Sequence, residues 1–296
     1  MSTGSTHDAR GAQQLRVARP ATLDDALCAL REMPGAQLLA GGTDFCVEVS
    51  FGSRRPTAVV ALRRVEELRG HDIADGHVRI GAGTTYAEMG RGALASTLPA
   101  LAAAARTVGS PQIRNAGTLG GNVATASPAG DTLPLLVALD ARVRVRGAAG
   151  ERVVALERFV TGVKRTVLAP DEVVVDVVVD RCRGPQEFLK VGTRNAMVIA
   201  IASVAVVVDL DARAVRVGLG SVAPVPRRCA SAEAHAGEAI DWGRLWASEA
   251  ALARFGELAA EACSPITDHR STAEYRRLAV GVIARRALER CVARVA

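Results

Sequence analysis

Two Gly-Gly pairs constrain this chain more than any other feature. One stands in LLAGGTDF, residues 38–45, where an apolar run enters Gly41-Gly42-Thr43-Asp44. The other stands in TLGGNVATASPAGD, residues 118–131, where Gly120-Gly121 runs into Asn122, then Ser127-Pro128 and Asp131. Neither stretch contains Lys, Arg or His. Glycine accepts positive φ and lets a ligand reach the main chain. Consecutive N–H groups can then form a nest for an anion such as a pyrophosphate, with no cationic side chain needed. The hydroxyls of Thr43 and Thr118 and the amide of Asn122 add neutral donors. One Gly-Gly pair alone is an ordinary turn signal; two of matching grammar point to a ligand loop in each.

Other nucleotide motifs are missing. GxxxxGK[ST] does not occur, and Gly81-Ala82-Gly83 and Gly218-Leu219-Gly220 both lack the third glycine of GxGxxG. A P-loop or Rossmann domain is therefore disfavoured.

Composition narrows the remaining classes. The chain has 296 residues, 49% hydrophobic and 23% charged, enough for two or three globular domains. No apolar run reaches the ~18 residues of a membrane span; the longest, residues 196–208, contains Ser203 and reads as a buried strand. The start, MSTGSTHDARGAQQ, lacks the apolar core of a signal peptide and is expected to be a disordered tail over 1–14. The net charge of +6 is almost all arginine, scattered singly and in pairs, with Lys164 and Lys190 the two lysines. Two Trp, two Tyr and five Phe offer few stacking platforms, so a solvated basic surface is expected rather than a nucleic-acid interface. The cysteines (28, 46, 182, 229, 263, 291) form no CxxC and the histidines (7, 71, 77, 235, 269) no HxxxH, so no metal site is expected. With no secretion signal, reduced thiols in a cytoplasm are the default expectation.

Periodicity predicts a helix over 23–33 capped by Thr22, strands over 36–40, 57–62 and 77–82, and a short helix from Thr84-Thr85 to Met89. A proline-opened helix follows over 99–108. The second glycine stretch reads as a loop, then a helix runs to Leu139 with Asp131 near its start. Strands are expected over 141–146 and 172–179. Past Arg183-Gly184-Pro185 the pattern changes to an antiparallel run (186–191, 199–210, 214–222) and helices at 231–236, 242–263 and 272–295. In the last of these, Leu278, Val282, Leu288, Cys291 and Val295 recur at helical spacing with arginines opposite. The class is α+β.

AGGTD, IGAGTTYAEM (80–89), QIRNAGTLGGNVATASPAGDTLPLLVALDA (112–141), DEVV (171–174) and EFLKVGTR (187–194) together resemble the FAD-binding medium subunit of the molybdenum hydroxylases, the xanthine dehydrogenase and carbon monoxide dehydrogenase type. ITDHRSTAEYRRLAVGVIARRAL (266–288) is similar to that family's C-terminal domain, so the likeness spans about residues 15–292. It implies the PCMH-type FAD-binding fold. Two small α/β subdomains, about 15–72 and 73–182, would form an FAD domain over 15–182, followed by an antiparallel-sheet-and-helix domain over 186–296.

The resemblance also implies a site. Leu38, Leu39, Ala40, Gly41, Gly42, Thr43, Asp44 and Phe45 match the first FAD loop. Thr118, Leu119, Gly120, Gly121 and Asn122 match the second, which cradles the pyrophosphate. Val108 matches a lining position, Asp131 a polar ligand, Val174 an apolar residue near the isoalloxazine and Lys190 a cofactor contact. Read by themselves, Asp131 and Asp44 can equally be helix N-caps, and Lys190 half of a surface ion pair. Two departures from the family pattern are Val198 in place of an Asp and Val49-Ser50 in place of Met-Lys.

The implied activity is electron transfer. FAD, held non-covalently, would take electrons from the 2Fe–2S clusters of a small subunit that serves a large molybdenum-cofactor subunit, and pass them to an external acceptor. No acid–base catalytic residue is then expected in this chain. The alternatives are a stand-alone FAD oxidase or dehydrogenase of the same fold, or a non-catalytic flavin-binding module. Substrate and final acceptor are not written here, because the substrate site would lie on another subunit.

Overall fold

The computed structural model describes residues 14–74 and 76–293. The tail expected over 1–14 lies, Gln14 apart, outside them. Thr22 accepts the N–H of Asp25 at 3.1 Å and starts the helix Leu23–Glu32. Leu23, Ala26, Leu27 and Leu30 recur on one face and are buried. That face covers a parallel three-stranded sheet, ordered Arg16–Ala18, Ala58–Ala61, Gln37–Leu39.

A five-stranded antiparallel sheet comes next, ordered His71–Ala74, His77–Gly81, Val173–Asp180, Arg142–Gly147, Gly150–Ala155. Its middle strand, VVVDVVVD, is apolar towards both sides because both sides are covered. Val173 and Val175 face the core of the first unit, whereas Val174, Val177 and Val179 face the second. A bulge between Val174 and Asp176 makes that exchange of faces possible. It also leaves Asp176 fully buried, where Arg144 and Arg79 compensate its charge. The Ala-rich helix Pro99–Thr107 packs into the same core.

The third unit is a four-stranded antiparallel sheet, Gln186–Val191, Ala202–Asp209, Ala214–Gly220 and Arg227–Arg228 in order. Strand alternation divides it between two cores. Ala205 and Val207 join the second unit, while Val204, Val206 and Val208 pack under the helices Ala230–Ala239, Glu249–Glu261 and Ala273–Ala293. A Cβ on Gly218 would stand 1.8 Å from Pro134 O, so the helix Leu133–Ala138 rests backbone to backbone on this sheet. The architecture is α+β, with no described helix long and apolar enough to cross a membrane.

Three local expectations need correction. Residues 119–125, read as loop, form the helix Leu119–Thr125, because Thr118 caps it and tertiary contacts outweigh the poor helix propensity of Gly-Gly. The helix expected from 242 starts at Glu249 behind the Ser248 cap. Residues 241–246 form a turn instead, pinned by the Trp242 indole donating to Gly237 O at 2.9 Å and by a bridge between Asp241 and Trp246. In the last helix, Leu278 and Val282 are exposed, and the buried face runs through Val280, Ile283, Ala284, Ala287, Leu288 and Cys291. Small residues at Ala284 and Ala287 let that face approach the sheet; Val295 lies outside the described residues.

The last helix is fastened by a buried arginine. Arg276 donates to Ile201 O at 2.6 Å, Ser221 O at 3.1 Å and Asp268 Oδ1 at 2.7 Å. Asp268 also accepts the N–H groups of Arg270 and Ser271. The Arg270 N–H, with the Arg276 guanidinium and the Ser271 N–H beside it, holds the Asp268 carboxyl down at about 2 from an ordinary 3.8. A depressed folded-state value stabilises the fold above the unfolded value, and that contribution is lost as pH falls through the folded one. Asp268→Asn is therefore expected to melt below wild type at neutral pH, with the gap closing between pH 3.8 and about 2; thermal melts across that window measure it.

Candidate functional site

The two glycine stretches meet. A Cβ on Gly41 would stand 1.9 Å from Ala116 O and 2.9 Å from Gly117 Cα, so the first loop lies directly on the backbone that leads into the second. Beside this contact opens a cavity of about 600 Å³, within the size range of small-molecule sites. Of the expected site residues, Leu38, Ala40, Gly41, Gly42, Thr43, Asp44 and Phe45 line it from the first loop. Thr118, Gly120, Gly121 and Asn122 line it from the second, and Val174 from the middle strand.

Leu39, Val108, Leu119, Asp131 and Lys190 are not among the lining residues. Leu119 is fully buried in the second core and Val108 packs against it. Asp131 does not cap a helix; its Oδ2 takes Lys190 Nζ at 2.6 Å, and both side chains are buried. Lys190 also donates to Thr107 O at 3.3 Å. Burial pushes the Asp131 carboxyl up, and the Lys190 ammonium pulls against that shift. Asp131 Oδ1 is buried with no hydrogen-bond partner among the described residues.

The loops divide the work differently from the sequence-based expectation. In the first, the N–H groups of Gly42, Thr43 and Asp44 have no acceptor among the described residues. Gly42 takes φ +76°, a backbone conformation open to glycine and of the kind that anion nests use. Asp44 stands at the helix start but makes no side-chain cap. In the second, the amides are spent. Leu119 N–H donates to Thr84 O at 2.9 Å, Gly120 to Ala82 O at 2.8 Å, Asn122 to Thr118 O at 3.0 Å and Gly121 to Thr118 Oγ1 at 3.1 Å. Gly120 and Gly121 thus present no unpaired amide of their own in this geometry. Gly120 is needed for packing, since a Cβ would stand 2.5 Å from Ala82 Cβ. Gly121 instead offers bare backbone to the cavity; beyond its own helix backbone and chain neighbours, a Cβ there would meet Thr118 Oγ1 at 3.0 Å. Asn122 is held by Thr132, whose hydroxyl donates to its Oδ1 at 2.5 Å.

Several lining residues escaped the sequence. Tyr86 sits on the first turn after the Thr85/Glu88 capping box, its ring against Gly117, where a Cβ would stand 2.7 Å away. Burial, then the charges of Asp131 and Asp44, hold its phenol protonated well above the usual range, so it faces the cavity as a neutral group. The Thr-x-x-Glu box was legible, but nothing local aims Tyr86 inward. Asn115, within the 112–141 motif but not singled out there, also lines the cavity, as do Glu48, Arg54 and Lys164, which carry no motif.

This donor set suits a flavin dinucleotide. Unspent loop amides answer phosphate oxygens, Leu38, Phe45 and Val174 offer apolar surface to a ring system, and the described lining contains no His or Cys. A family model described as the FAD binding domain in molybdopterin dehydrogenase matches residues 13–180, and one for the CO dehydrogenase flavoprotein C-terminal domain matches residues 187–291. The chain belongs to the FAD-binding subunits of the molybdopterin dehydrogenases. Among this flavin subunit's relatives, the xanthine dehydrogenase FAD-binding subunit of Escherichia coli O157:H7 is 35% identical over 73% of this chain and 76% of its own length. The nicotine 6-hydroxylase medium subunit of Paenarthrobacter nicotinovorans is 31% identical over 95% and 98%. In structure, the flavin subunit is similar to a chain of carbon monoxide dehydrogenase from Hydrogenophaga pseudoflava, with TM-score 0.85 and 28% identity over 96% of this chain and 99% of that one.

Two predictions separate packing from binding in the flavin subunit. Gly121→Val is expected to keep the fold and lose most FAD affinity, because its side chain enters the cavity rather than a core; flavin-fluorescence titration beside a thermal melt reads both. Lys190→Met and Asp131→Asn each strand a buried charge and are expected to cost about 3 kcal/mol of stability. The double variant should lose less than the sum of the two, which denaturant unfolding of all four proteins would measure.

Proposed function

We propose that the cavity between the two glycine stretches holds one FAD non-covalently, and that the chain works as the electron-transfer subunit of a heteromeric molybdenum-dependent hydroxylase. The observation that carries this reading is the row of unspent amides from Gly42 to Asp44 at the wall of the cavity. Those N–H groups would take the pyrophosphate oxygens. Gly121 would allow close approach from the opposite side, with Thr118 and Asn122 beside it. Leu38, Ala40, Gly41, Phe45 and Val174 would pack against the remainder of the cofactor. Asp131, Lys190, Val108, Leu119 and Leu39 act in this scheme from behind the wall, by holding its residues in place.

When bound, FAD supplies the junction between one-electron carriers and a two-electron acceptor. The protein's part is to bind, orient and shield it. Tyr86 stays a neutral group at the cavity, because burial and then the charges of Asp131 and Asp44 oppose its ionisation. The electrons would come from a small subunit with two 2Fe–2S clusters, itself served by a large subunit with the molybdenum cofactor. Relatives support this: medium chains of carbon monoxide dehydrogenase from Hydrogenophaga pseudoflava and Afipia carboxidovorans are among them. No disulfide joins the described residues, which suits a cytoplasmic, reducing compartment.

The test mixes the oxidised flavin protein with a pre-reduced iron–sulfur subunit and follows loss of flavin absorbance. Fast reduction that needs the iron–sulfur subunit is the expected result. Reduction of the isolated chain at the same rate by a small organic donor would instead make it a stand-alone flavoenzyme.

A further inference from the structure

The ammonium of Lys164 joins two segments that line the cavity. Lys164 stands at the tip of the hairpin formed by Val160–Gly162 and Arg165–Thr166, with φ +54°. Its backbone N–H donates to Ala126 O at 3.1 Å, the C-cap of the helix that begins at the second glycine stretch. Its side chain extends to Glu48 Oε1 at 2.7 Å, on the helix Phe45–Ser50 that follows the first glycine loop. One partly exposed residue thus ties the two segments that follow the glycine stretches.

Glu48 is held from its other oxygen as well. Arg54 Nε and Nη2 each reach Glu48 Oε2 at 2.8 Å, and the Arg54 guanidinium lies 4.9 Å over the Phe45 ring. Arg54 also donates to Gln37 Oε1 at 3.2 Å, which fixes the cluster to the first sheet. Phe45, Glu48, Arg54 and Lys164 line the cofactor cavity, while Glu48, Arg54 and Lys164 also line a shallow depression with Gln37, Ser53 and Arg55. The cluster is therefore a wall one side chain thick. Its Lys164 half is 54% exposed and its Glu48 half 23%, so the pair can part without opening a core.

We propose that the Lys164–Glu48 ion pair is a clasp over the cavity, which must part for FAD to enter or leave and which slows its escape. This rests on the reading that FAD occupies the cavity. An exposed pair contributes little to the fold. It stands, however, where its partition between closed and open sets an exit rate. A screened pair opens more often, so exchange should quicken with ionic strength.

The experiment uses the FAD-loaded chain and times FAD release into an excess of an FAD-trapping apoprotein by flavin fluorescence. Lys164→Met and Glu48→Gln are each expected to speed release about three- to fivefold at low salt, the upper part of the range an exposed pair commands. The double variant should be no faster than the faster single one, and Lys164→Arg should release as wild type does. About 0.5 M salt should bring wild type close to the variants while changing them less. Arg254→Met, which removes a surface pair on the distant helix Glu249–Glu261, serves as control. Equal release rates for wild type, Lys164→Met and Glu48→Gln overturn the clasp, as does an equal acceleration in the control. If FAD loss in Gly121→Val accompanies that null result, the cavity reading stands and the clasp alone falls. If Gly121→Val binds FAD unchanged, both fall.

Discussion

Everything in the cofactor region depends on one close approach of main chains. Gly41 lies so near Ala116 that a methyl group in its place would overlap the carbonyl, 1.9 Å away. Gly41 belongs to the parallel sheet unit and Ala116 to the antiparallel one, so this contact sets how the two units stand. The cavity is the space left beside it. A bulge in the strand Val173–Asp180 supports the same arrangement from below, as its apolar residues serve the first core and then the second. Gly218 against Pro134 repeats the device where the third unit joins. Backbone-to-backbone joints of this kind leave little freedom for the layers to slide, because interiors are close-packed and any added atom is felt.

The charges follow a related economy. Buried ionised groups are costly unless paired, and each one here is paired across a joint between elements. Lys190 of the third unit meets Asp131 of the second, Arg276 of the last helix meets Asp268 and two sheet carbonyls, and Asp176 at the bulge meets Arg144 and Arg79. Such pairs add little net stability compared with apolar packing, yet breaking one is expensive. They therefore act as registry pins. The Lys164–Glu48 pair is of the other kind, with its lysine more than half exposed and little energy at stake.

Much of the architecture was readable from local pattern. The capped helix Leu23–Glu32, the proline-opened helix Pro99–Thr107, the strand His77–Gly81 and the antiparallel run after Pro185 all lie where periodicity, caps and turn residues put them. Errors fell where tertiary contact overrides propensity. Gly120-Gly121 looked like a loop because glycine disfavours helix, but Thr118 caps it and Ala82 leaves room for nothing larger. Leu278 and Val282 looked like core because their spacing is helical, but period alone does not say which of two stripes meets the sheet.

The chain's own residues determined the glycine pairs, the capping signals, the family motifs and the absence of any cationic phosphate motif, and with them the α+β class and the expectation of a flavin dinucleotide. These are local properties, fixed by residue type and spacing. Only the tertiary structure decided which amides remain free, that Lys190 pairs with Asp131, that Tyr86 lines the cavity and that Lys164 reaches Glu48 beside it. The physical reason is distance along the chain: Lys164 and Glu48 are 116 positions apart and Lys190 and Asp131 are 59 apart. A hydrogen bond between such positions has no signature in either neighbourhood, because it exists only once the sheets have packed.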